Sequence, residues 1–559
     1  MPHRSPDEDA PSGDAGARRT VLLAFRSAGA LHRLLDVLPV FEGDPRISRR
    51  FTLVPGSRFD VEALAALDRS GARLVDWEQA RTGAYHLVLT ASPKGELRSL
   101  SAGRRALLPH GVGFNKALGD EGSPELPSGL DPAFLLDEGE PWADLHGLAH
   151  DDELARLAEA CPPAAPRAVV VGDPTLDRLL RTADARESRR AALGVGDHRL
   201  VVLLSTWGPE SLLARRPELP QQLVLGLPVD RYRVGLAVHP NEFSERSPLD
   251  LAEQFRPATR AGLLLASPYQ EWAALLAAAD AVITDHGSSA LYAAAAGCAV
   301  ISAYDGGSEL LPGSPMAELL AAAPQFTGLE ELPGALRTAA GQDARKIAAT
   351  AFARPGEALP RLRQELYRLL ELTPPAGPLE AEPFPPPAHR VAPPDTLAVG
   401  AEVSGTRVRL DRYPVQTTRP VHHLAADHPR AGLRARQSSA VLWRHADSPV
   451  SSAPWTADGW LSHVLAEHPG CRTAAVVLAP DRCLLRHRRL GALTLRAAAV
   501  HDLGRIRRAD PAALVSAAHA WLDGRTELRL PVTLHCEIGA LTVDVDLVPA
   551  ESADGEREV

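Results

Sequence analysis

The chain has 559 residues, a hydrophobic content of 45% and a formal net charge of −10. This length exceeds that of an ordinary single domain and predicts about three domains with sizeable cores. The acidic balance argues against a nucleic-acid-binding protein. The sequence contains no uninterrupted apolar run of about 18 residues, so we expect no membrane span. It also lacks a basic start followed by an apolar segment, so we expect no secretory signal.

The cysteines, five in number, are scattered with neither zinc-binding nor redox spacing. Cys298 lies in an alanine-rich apolar run, where a small buried thiol is expected. We therefore expect a cytoplasmic protein that has no metal site and needs no cofactor.

Residues 1–17 are polar and rich in Pro, Asp, Ser and Gly, which predicts a disordered tail. Beyond it, short apolar strands alternate with helical segments, and this favours a parallel, doubly wound sheet over residues 18–167. The strands predicted in this first α/β domain are Thr20–Phe25, Phe51–Pro55, Arg73–Asp76, His86–Thr90 and Arg105–Pro109.

The same alternation restarts at Ala168 and predicts a second α/β domain over residues 168–372, closed by one or two helices after residue 345. Two successive domains of this kind predict a cleft between them. The strands predicted in the second domain are Ala168–Gly172, Leu200–Leu204, Arg233–Val238, Leu263–Leu265, Ala281–Thr284 and Ala299–Ile301.

A proline-rich stretch predicts a stiff linker over residues 373–395 that cannot form a core. Residues 396–559 then combine strands with a helix for which Asp510 is the expected N-cap and Pro511 the first residue. We predict a separate α+β domain here, of unassigned role. Its histidines lack metal-ligand spacing and are expected mostly on a solvated surface: His422, His423, His428 and His445.

The most informative motif is the turn Asp285-His286-Gly287-Ser288-Ser289, between an apolar strand and an alanine-rich helix. Free N–H groups and the dipole at a helix start favour an anion, typically a phosphate. Ser288 and Ser289 add hydroxyl donors, and Gly287 permits close backbone approach. Because open α/β sheets bind ligands at this edge, the turn predicts an enzyme that handles a nucleotide or phosphate.

Two histidines also follow predicted strands. His110 precedes Gly111 and Lys116, a combination that suits a general base beside a phosphate, although an ordinary glycine turn with an exposed histidine is the alternative. His239 precedes a proline, and a plain hydrogen-bonded strand end is the alternative there. If both sheets face one cleft, these two imidazoles can face each other across it.

Two further turns follow strands. Ser205 and Thr206 have short hydroxyl side chains that suit phosphate oxygens, but a solvated turn explains them equally well. The segment Gly172-Asp-Pro-Thr-Leu-Asp177 predicts a turn that enters a helix.

Taken in chain order, these motifs resemble the CDP-glycerol glycerophosphotransferase family, the teichoic-acid polymerase and primase type. The resemblance covers about residues 18–372 and implies the GT-B architecture: two facing Rossmann-like domains, with the nucleotide in the second. The motifs that carry it are His110-Gly111 with Lys116, Gly172–Asp177, Ser205-Thr206-Trp207, His239-Pro240, Ile283–Asp285 with Ser288-Ser289, and Val300–Asp305.

The resemblance implies that His110 deprotonates an acceptor hydroxyl and that His239 stabilises the pyrophosphate or the leaving nucleotide. Asp285 would shape the loop. The implied donor is CDP-glycerol with CMP as the leaving group, and the implied acceptor is a lipid-linked polymer at the inner face of the cell membrane. The residues expected to bind the donor phosphates are Gly111, Lys116, Ser205, Thr206, Gly287, Ser288 and Ser289.

Two departures from the family pattern touch this pocket. His286 and Gly287 stand where the family has an aromatic residue directly before two serines, and Gly208-Pro209 follows Trp207 where the family often has a basic residue. A different nucleotide donor therefore stays open. One alternative is an enzyme like the UDP-N-acetylglucosamine 2-epimerases, also GT-B, although no acidic pair follows the serines. The other is a GT-B module that binds a nucleotide or glycan without turnover.

Overall fold

The structure is a computed structural model that describes residues 18–57, 59–117, 123, 125–267, 271–388, 390–448 and 454–559. The predicted tail over residues 1–17 lies outside the described residues. Two parallel sheets and a closed barrel follow one another along the chain. In the described part of the chain, no helix combines the length and the apolar character that crossing a bilayer requires.

The first sheet has six parallel strands in the order β2-β1-β3-β4-β7-β8, and β5 and β6 form a small hairpin beside it. Its central strands β1 and β3 are mostly buried apolar runs, as in a parallel sheet that is covered on both faces. The strands are β1 Arg19–Phe25, β2 Ile47–Leu53, β3 Ala84–Thr90, β4 Ser101–Leu107, β5 Leu136–Asp137, β6 Glu140–Pro141, β7 Leu145–Leu148 and β8 Ala168–Val170. The helices are α1 Ala28–Val37, α2 Asp60–Ser70, α3 Trp77–Thr82, α4 Pro132–Leu135 and α5 Asp151–Ala160.

Two predicted strands of these domains are corrected. The segment that starts at Ala168 was expected to open the second sheet, but β8 pairs with β7 and completes the first. An apolar run does not reveal which sheet it joins, because its hydrogen-bond partners lie far away in sequence. The expected strand Arg73–Asp76 is reduced to a single bridge between Phe51 and Leu74.

The second sheet has five parallel strands in the order β11-β10-β9-β12-β13. These are β9 Arg199–Ser205, β10 Tyr232–Val238, β11 Leu264–Leu265, β12 Ala281–Thr284 and β13 Ala299–Ser302. The helices around it are α6 Pro174–Ala183, α7 Arg186–Leu193, α8 Leu212–Arg215, α9 Leu219–Gly226, α10 Glu242–Glu245, α11 Pro248–Arg260, α12 Glu271–Ala278, α13 Ser289–Ala295, α14 Pro315–Ala322, α15 Leu332–Ala340, α16 Ala344–Ala348 and α17 Ala358–Leu369.

The end of this α/β region crosses back to the first sheet. The apolar face of α17, with Leu359, Leu362 and Tyr367, packs in the same core as Val21 and Leu89 of the first sheet. The two α/β units are therefore joined by packing as well as by the chain.

The proline-rich stretch lacks helices and strands over its described residues, as expected of a linker, yet part of it packs in a core. Phe384 is buried in the core beside the second sheet. Its backbone N–H donates to Thr182 Oγ1 at 2.8 Å, and the Arg178 guanidinium lies 4.0 Å from its ring centre. The expectation that this segment contributes to no core is therefore wrong at Phe384.

Residues 396–549 form a closed barrel of nine strands, in the order β14-β15-β23-β24-β20-β19-β18-β17-β16, with β21 and β22 as an outlying hairpin. The strands are β14 Thr396–Ser404, β15 Arg407–Pro414, β16 His423–Asp427, β17 Val441–His445, β18 Thr473–Ala479, β19 Arg482–His487, β20 Gly491–Ala497, β21 Val500–Asp502, β22 Arg505–Arg507, β23 Val532–Ile538 and β24 Leu541–Pro549. The helices are α18 Leu433–Ser438, α19 Ala457–Glu467, α20 Pro511–Leu522 and α21 Ser552–Gly555.

The barrel closes around helix α20, whose residues from Ala512 to Leu522 are all buried. Asp510 caps it by accepting from the Ala512 N–H, as expected from the sequence. A helix that is apolar all round must be enclosed, and here alternate residues of the surrounding strands pack against it. The predicted strands and helix are present, and the closed arrangement makes the expected α+β domain more specifically a barrel.

The barrel is held to the second α/β unit by an ion cluster around the buried Arg412. Arg412 donates to Asp230 Oδ1 at 2.6 Å and to Asp510 Oδ2 at 2.6 Å, and its side chain is only 4% exposed. Asp230 lies just before β10, and Asp510 caps the central helix. The cluster therefore joins the core of the barrel to the second sheet.

Three barrel histidines are buried at one end, where a solvated surface was expected for His423. His423, His487 and His519 are 4%, 2% and 0% exposed. His423 and His487 stand two residues from the inward-facing Ala425 and Leu485, so strand alternation turns them inward as well. The rings of His423 and His519 lie 4.6 Å apart, and the ring of His487 lies 6.2 Å from that of His519.

Candidate active site between the two sheets

A cavity of about 670 Å³ lies between the two α/β units, where the carboxyl ends of their strands meet. This is the edge at which open α/β sheets bind ligands. All but one of the site residues expected from the sequence line the cavity: His110, Gly111, Lys116, Ser205, Thr206, His239, Gly287, Ser288 and Ser289. The remaining one, Asp285, is fully buried behind the cavity wall.

His110 follows β4 and is exposed to the cavity. Its Nδ1 lies 2.9 Å from the Ala91 carbonyl oxygen. A carbonyl oxygen only accepts hydrogen bonds, so Nδ1 carries the proton and the neutral ring keeps its lone pair on Nε2. His110 is thereby arranged to act as a base through Nε2.

His239 follows β10 and has the opposite arrangement. The Asn241 backbone N–H donates to its Nδ1 at 3.1 Å, so the proton of the neutral ring sits on Nε2. Burial, with the positive charge of Lys116 and the nearby His110 and His32, lowers the pKa of His239 to about 3. His239 is therefore neutral at physiological pH and offers an Nε2–H donor.

Lys116 brings a positive charge from the first unit to the second. Its Nζ donates to Thr206 Oγ1 at 2.9 Å and lies 3.5 Å from Glu309 Oε2. Burial lowers the pKa of Lys116, while Asp285 and Glu309 oppose that shift. The ammonium is thus next to a threonine that was itself expected to bind phosphate.

The loop that carries Lys116 is fastened to the second unit by backbone hydrogen bonds. The Ala117 N–H donates to the Glu309 carbonyl oxygen at 3.2 Å, and the Leu311 N–H donates to the Asn115 carbonyl oxygen at 2.8 Å. The Asn115 side chain also accepts from the Met316 N–H at 3.1 Å. These bonds form a seam between the two units, defined here as residues 115–117 on one side and 309–316 on the other.

Asp285 organises the turn instead of facing the cavity. Its carboxylate accepts from the backbone N–H groups of Thr206 at 2.9 Å, Leu212 at 2.7 Å and Gly287 at 3.0 Å. Ser205 is similarly committed, because its Oγ accepts from the Leu213 N–H at 3.2 Å. Asp285 thus holds the turns after β9 and β12 together, and it does not line the cavity as a phosphate-binding residue would.

The glycine turn after His110 is supported by a buried carboxyl group that the sequence analysis missed. Glu153 accepts from the Gly113 N–H at 2.7 Å and from the Ala149 N–H at 2.7 Å. Burial raises the pKa of Glu153 to about 7, although these backbone hydrogen bonds oppose the shift. No sequence pattern marks Glu153, which looks like an ordinary acidic residue near the start of α5.

A second missed group crosses between the units at the cavity wall. Arg33 donates to Asp173 Oδ2 at 3.0 Å and to Thr175 Oγ1 at 2.7 Å, and the Tyr292 hydroxyl donates to the same Asp173 oxygen at 2.7 Å. Burial raises the pKa of Tyr292 well above its usual value. The sequence indicated only a helix-entering turn at Asp173, since its partners come from α1 and α13.

A third missed contact joins His286 and Glu309. His286 Nε2 lies 2.9 Å from Glu309 Oε2, and the ring is fully buried in the cavity wall. Glu309 therefore contacts both His286 and Lys116. In the described ranges, no group of three His, Cys, Asp or Glu side chains is placed to hold a metal ion.

No protein-family model matches the chain, and no curated protein matches its sequence. Among solved structures, the wall teichoic acid polymerase TagF is similar over 64% of this chain and 90% of its own, with 15% identity and a TM-score of 0.43. HepE from Anabaena, solved in complex with UDP, is similar over 63% of this chain and 100% of its own, with 15% identity and a TM-score of 0.36.

Proposed function

We propose that this chain is a transferase that moves a group from a nucleotide-activated donor to an acceptor hydroxyl. The observation that carries the proposal is the pair His110 and His239, which line one cavity with complementary ring protonation. One imidazole is arranged to accept a proton and the other to donate a hydrogen bond. A transfer that activates a nucleophile and stabilises a leaving group needs both.

In the proposed reaction, His110 Nε2 takes the proton of the acceptor hydroxyl while the hydroxyl oxygen attacks the transferred group. With a CDP-glycerol-like donor, the new bond forms at the glycerol-side phosphorus and the bond from that phosphorus to the oxygen of CMP breaks. The His239 Nε2–H donates to an oxygen of the departing phosphate. Because His239 is neutral, it can do this without losing a proton.

The donor phosphates are assigned to the wall formed by Lys116, Thr206, Ser288 and Ser289. The Lys116 ammonium supplies charge against the diphosphate, and the hydroxyl and N–H groups supply directed donors. A fixed electrostatic site of this kind lowers the barrier because its groups need little rearrangement as charge develops.

Calorimetric binding of CDP-glycerol, CMP, UDP-N-acetylglucosamine and UDP to the full chain tests the proposal. We expect binding of a nucleoside diphosphate derivative that Ser288→Ala together with Ser289→Ala weakens about tenfold or more, as expected from losing one or two directed hydrogen bonds. Ser438→Ala in the barrel is the matched control and should leave binding unchanged. Absence of binding to all four compounds would sink the proposal.

Measurement of transfer activity distinguishes the proposed transferase from the two alternatives, a nucleotide-sugar enzyme and a non-catalytic module. With the donor that binds, His110→Ala should abolish transfer while leaving donor affinity within about twofold, because its role lies in the chemical step. His501→Ala, on the exposed hairpin, is the control. Selective binding of uridine compounds would favour a nucleotide-sugar enzyme of the 2-epimerase kind. Tight binding with no turnover for any acceptor would favour a non-catalytic module.

We also propose that the acceptor is a lipid-linked polymer at the inner face of the cell membrane. The protein would act on it from the cytoplasm. Transfer to a lipid-linked acceptor in vesicles, and not to the free head group, is the expected result. Equal transfer to both would remove the membrane from the proposal and leave the reaction class in place.

A further inference from the structure

His286 is the one cavity-lining histidine in the motif that departs from the family pattern. Its side chain is 0% exposed, and its Nε2 lies 2.9 Å from Glu309 Oε2. A carboxylate accepts, so Nε2 carries a proton. The other ring nitrogen, Nδ1, is buried and has no hydrogen-bond partner among the described residues. A buried polar atom of this kind needs a partner, and His286 is one of the residues that line the ligand-sized cavity.

Charged groups of both signs lie close to His286. Burial opposes ionisation of Glu309, but the hydrogen bond from His286 and the charge of Lys116 outweigh it and lower the pKa of Glu309. Glu309 thus presents a carboxylate to the His286 ring, and Lys116 Nζ lies 3.5 Å from the same carboxylate oxygen. The other acidic groups nearby are Asp285, next in the chain, and Glu210, which lies across Gly307.

The ring is also fixed in place. Gly306 packs directly on it, and a Cβ at Gly306 would stand 2.1 Å from Cγ and 2.4 Å from Nδ1 of the imidazole. Gly287 and Ser288, which follow His286 in the chain, line the cavity as well. The uncommitted nitrogen thus belongs to a rigid ring at the turn assigned to the donor phosphates.

We propose that His286 takes up one proton from solvent when a nucleoside diphosphate enters the cavity, and that its Nδ1–H then donates to a phosphate oxygen. The imidazolium would stand between two anions, Glu309 on Nε2 and the phosphate on Nδ1. The N–H bond at Nδ1 is the only covalent bond that changes on binding. This assignment rests on the proposed function for the ligand class, and it makes Glu309 a positioning residue.

Calorimetry in buffers of different ionisation enthalpy measures the protons taken up as UDP or CDP binds to the full chain. The wild type should take up a substantial fraction of a proton near pH 8, where the ligand phosphates are already ionised. His286→Gln should abolish that uptake and weaken binding about tenfold, and Glu309→Gln should reduce the uptake. His463→Gln is the matched control, because His463 forms a surface pair with Glu467 at 3.0 Å in the barrel.

His110→Gln and His239→Gln chains test two other histidines that line the cavity as proton acceptors, and each should retain the uptake. Uptake that is equal in the wild type and in His286→Gln overturns the inference while leaving the proposed function in place. If His286→Gln does not fold, unchanged uptake in Glu309→Gln overturns it, and reduced uptake with retained binding supports it. If the wild type binds neither UDP nor CDP nor any of the other nucleotides tested for the proposed function, the proposed function itself fails, and the ligand assigned to His286 with it.

Discussion

Mild acid should loosen the barrel, because three imidazoles are buried without charge at one end of it. His423, His487 and His519 are each at most 4% exposed. Thr473 Oγ1 lies 2.8 Å from His519 Nδ1, and no ionised partner within hydrogen-bond distance of these three rings is present among the described residues. Protonating any of these imidazoles inside the barrel therefore costs desolvation energy that no ion pair in the described part of the chain offsets.

The magnitude can be worked out for His519. Burial, with the charge of Arg472, lowers its pKa to about 3, while Asp523 acts in the opposite direction. Since the pKa in the unfolded chain is about 6.5, the unfolded chain binds a proton that the folded chain refuses between these values. Stability is therefore full above about pH 6.5 and falls with pH, by about 2 kcal/mol at pH 5 from His519 alone. Burial lowers the pKa of His423 and His487 in the same direction.

Hydrogen exchange of the α20 peptide in the full chain measures this opening directly, after correction for the intrinsic exchange rate. From about pH 7.5 to pH 5, the opening free energy should fall by at least about 2 kcal/mol. His519→Gln should remove about that amount of the pH dependence, and His501→Gln on the exposed hairpin should not change it. Protection that is independent of pH, or a slope unchanged in His519→Gln, would refute the reasoning.

Three further substitutions have defined outcomes. Gly306→Ala should abolish nucleotide binding measured by calorimetry, because the added Cβ would stand 2.1 Å from the His286 ring. Gly313→Ala is the control, since Gly313 also has a positive φ but no atom lies within 4 Å of the added Cβ. It should lower the thermal melting temperature through backbone strain alone and leave binding unchanged. Tyr292→Phe leaves a buried carboxylate and guanidinium short of one partner and should cost about 1–3 kcal/mol in denaturant unfolding; an unchanged midpoint would contradict it. Arg412→Leu leaves two carboxylates without their cation and should lower the free energy of unfolding by about 3–5 kcal/mol in the same measurement. A loss under about 1 kcal/mol would contradict this prediction.

The sequence indicates the parallel sheets and the positions of the site well, because both depend on local signals. Apolar runs mark the strands, and polar residues directly after them mark the carboxyl edge, so His110, Thr206 and His239 could each be placed at a strand end. Which chemistry the cleft between the two sheets performs depends on more than these positions, and it stays a proposal.

Partners from distant parts of the chain leave no such signal. The strand at Ala168 is apolar whichever sheet it joins, and Glu309 and Glu153 look like surface acids until the fold brings them to His286 and to the glycine turn. The barrel was missed for the same reason, since closure depends on pairings such as Arg407 with His535 across more than a hundred residues. For the same reason, the sequence does not show that His423 faces a closed interior.

The seam between residues 115–117 and 309–316 bears on how substrates reach the cavity. It already holds Lys116 against Thr206, so the two units do not have to swing together to assemble this part of the site. Because Lys116 and Thr206 are already in contact, ligand binding needs little free energy to order them, and this favours affinity for small anionic ligands. The same seam resists separation of the two units on its own side of the cavity, so a ligand should enter and leave on the side away from residues 115–117 and 309–316.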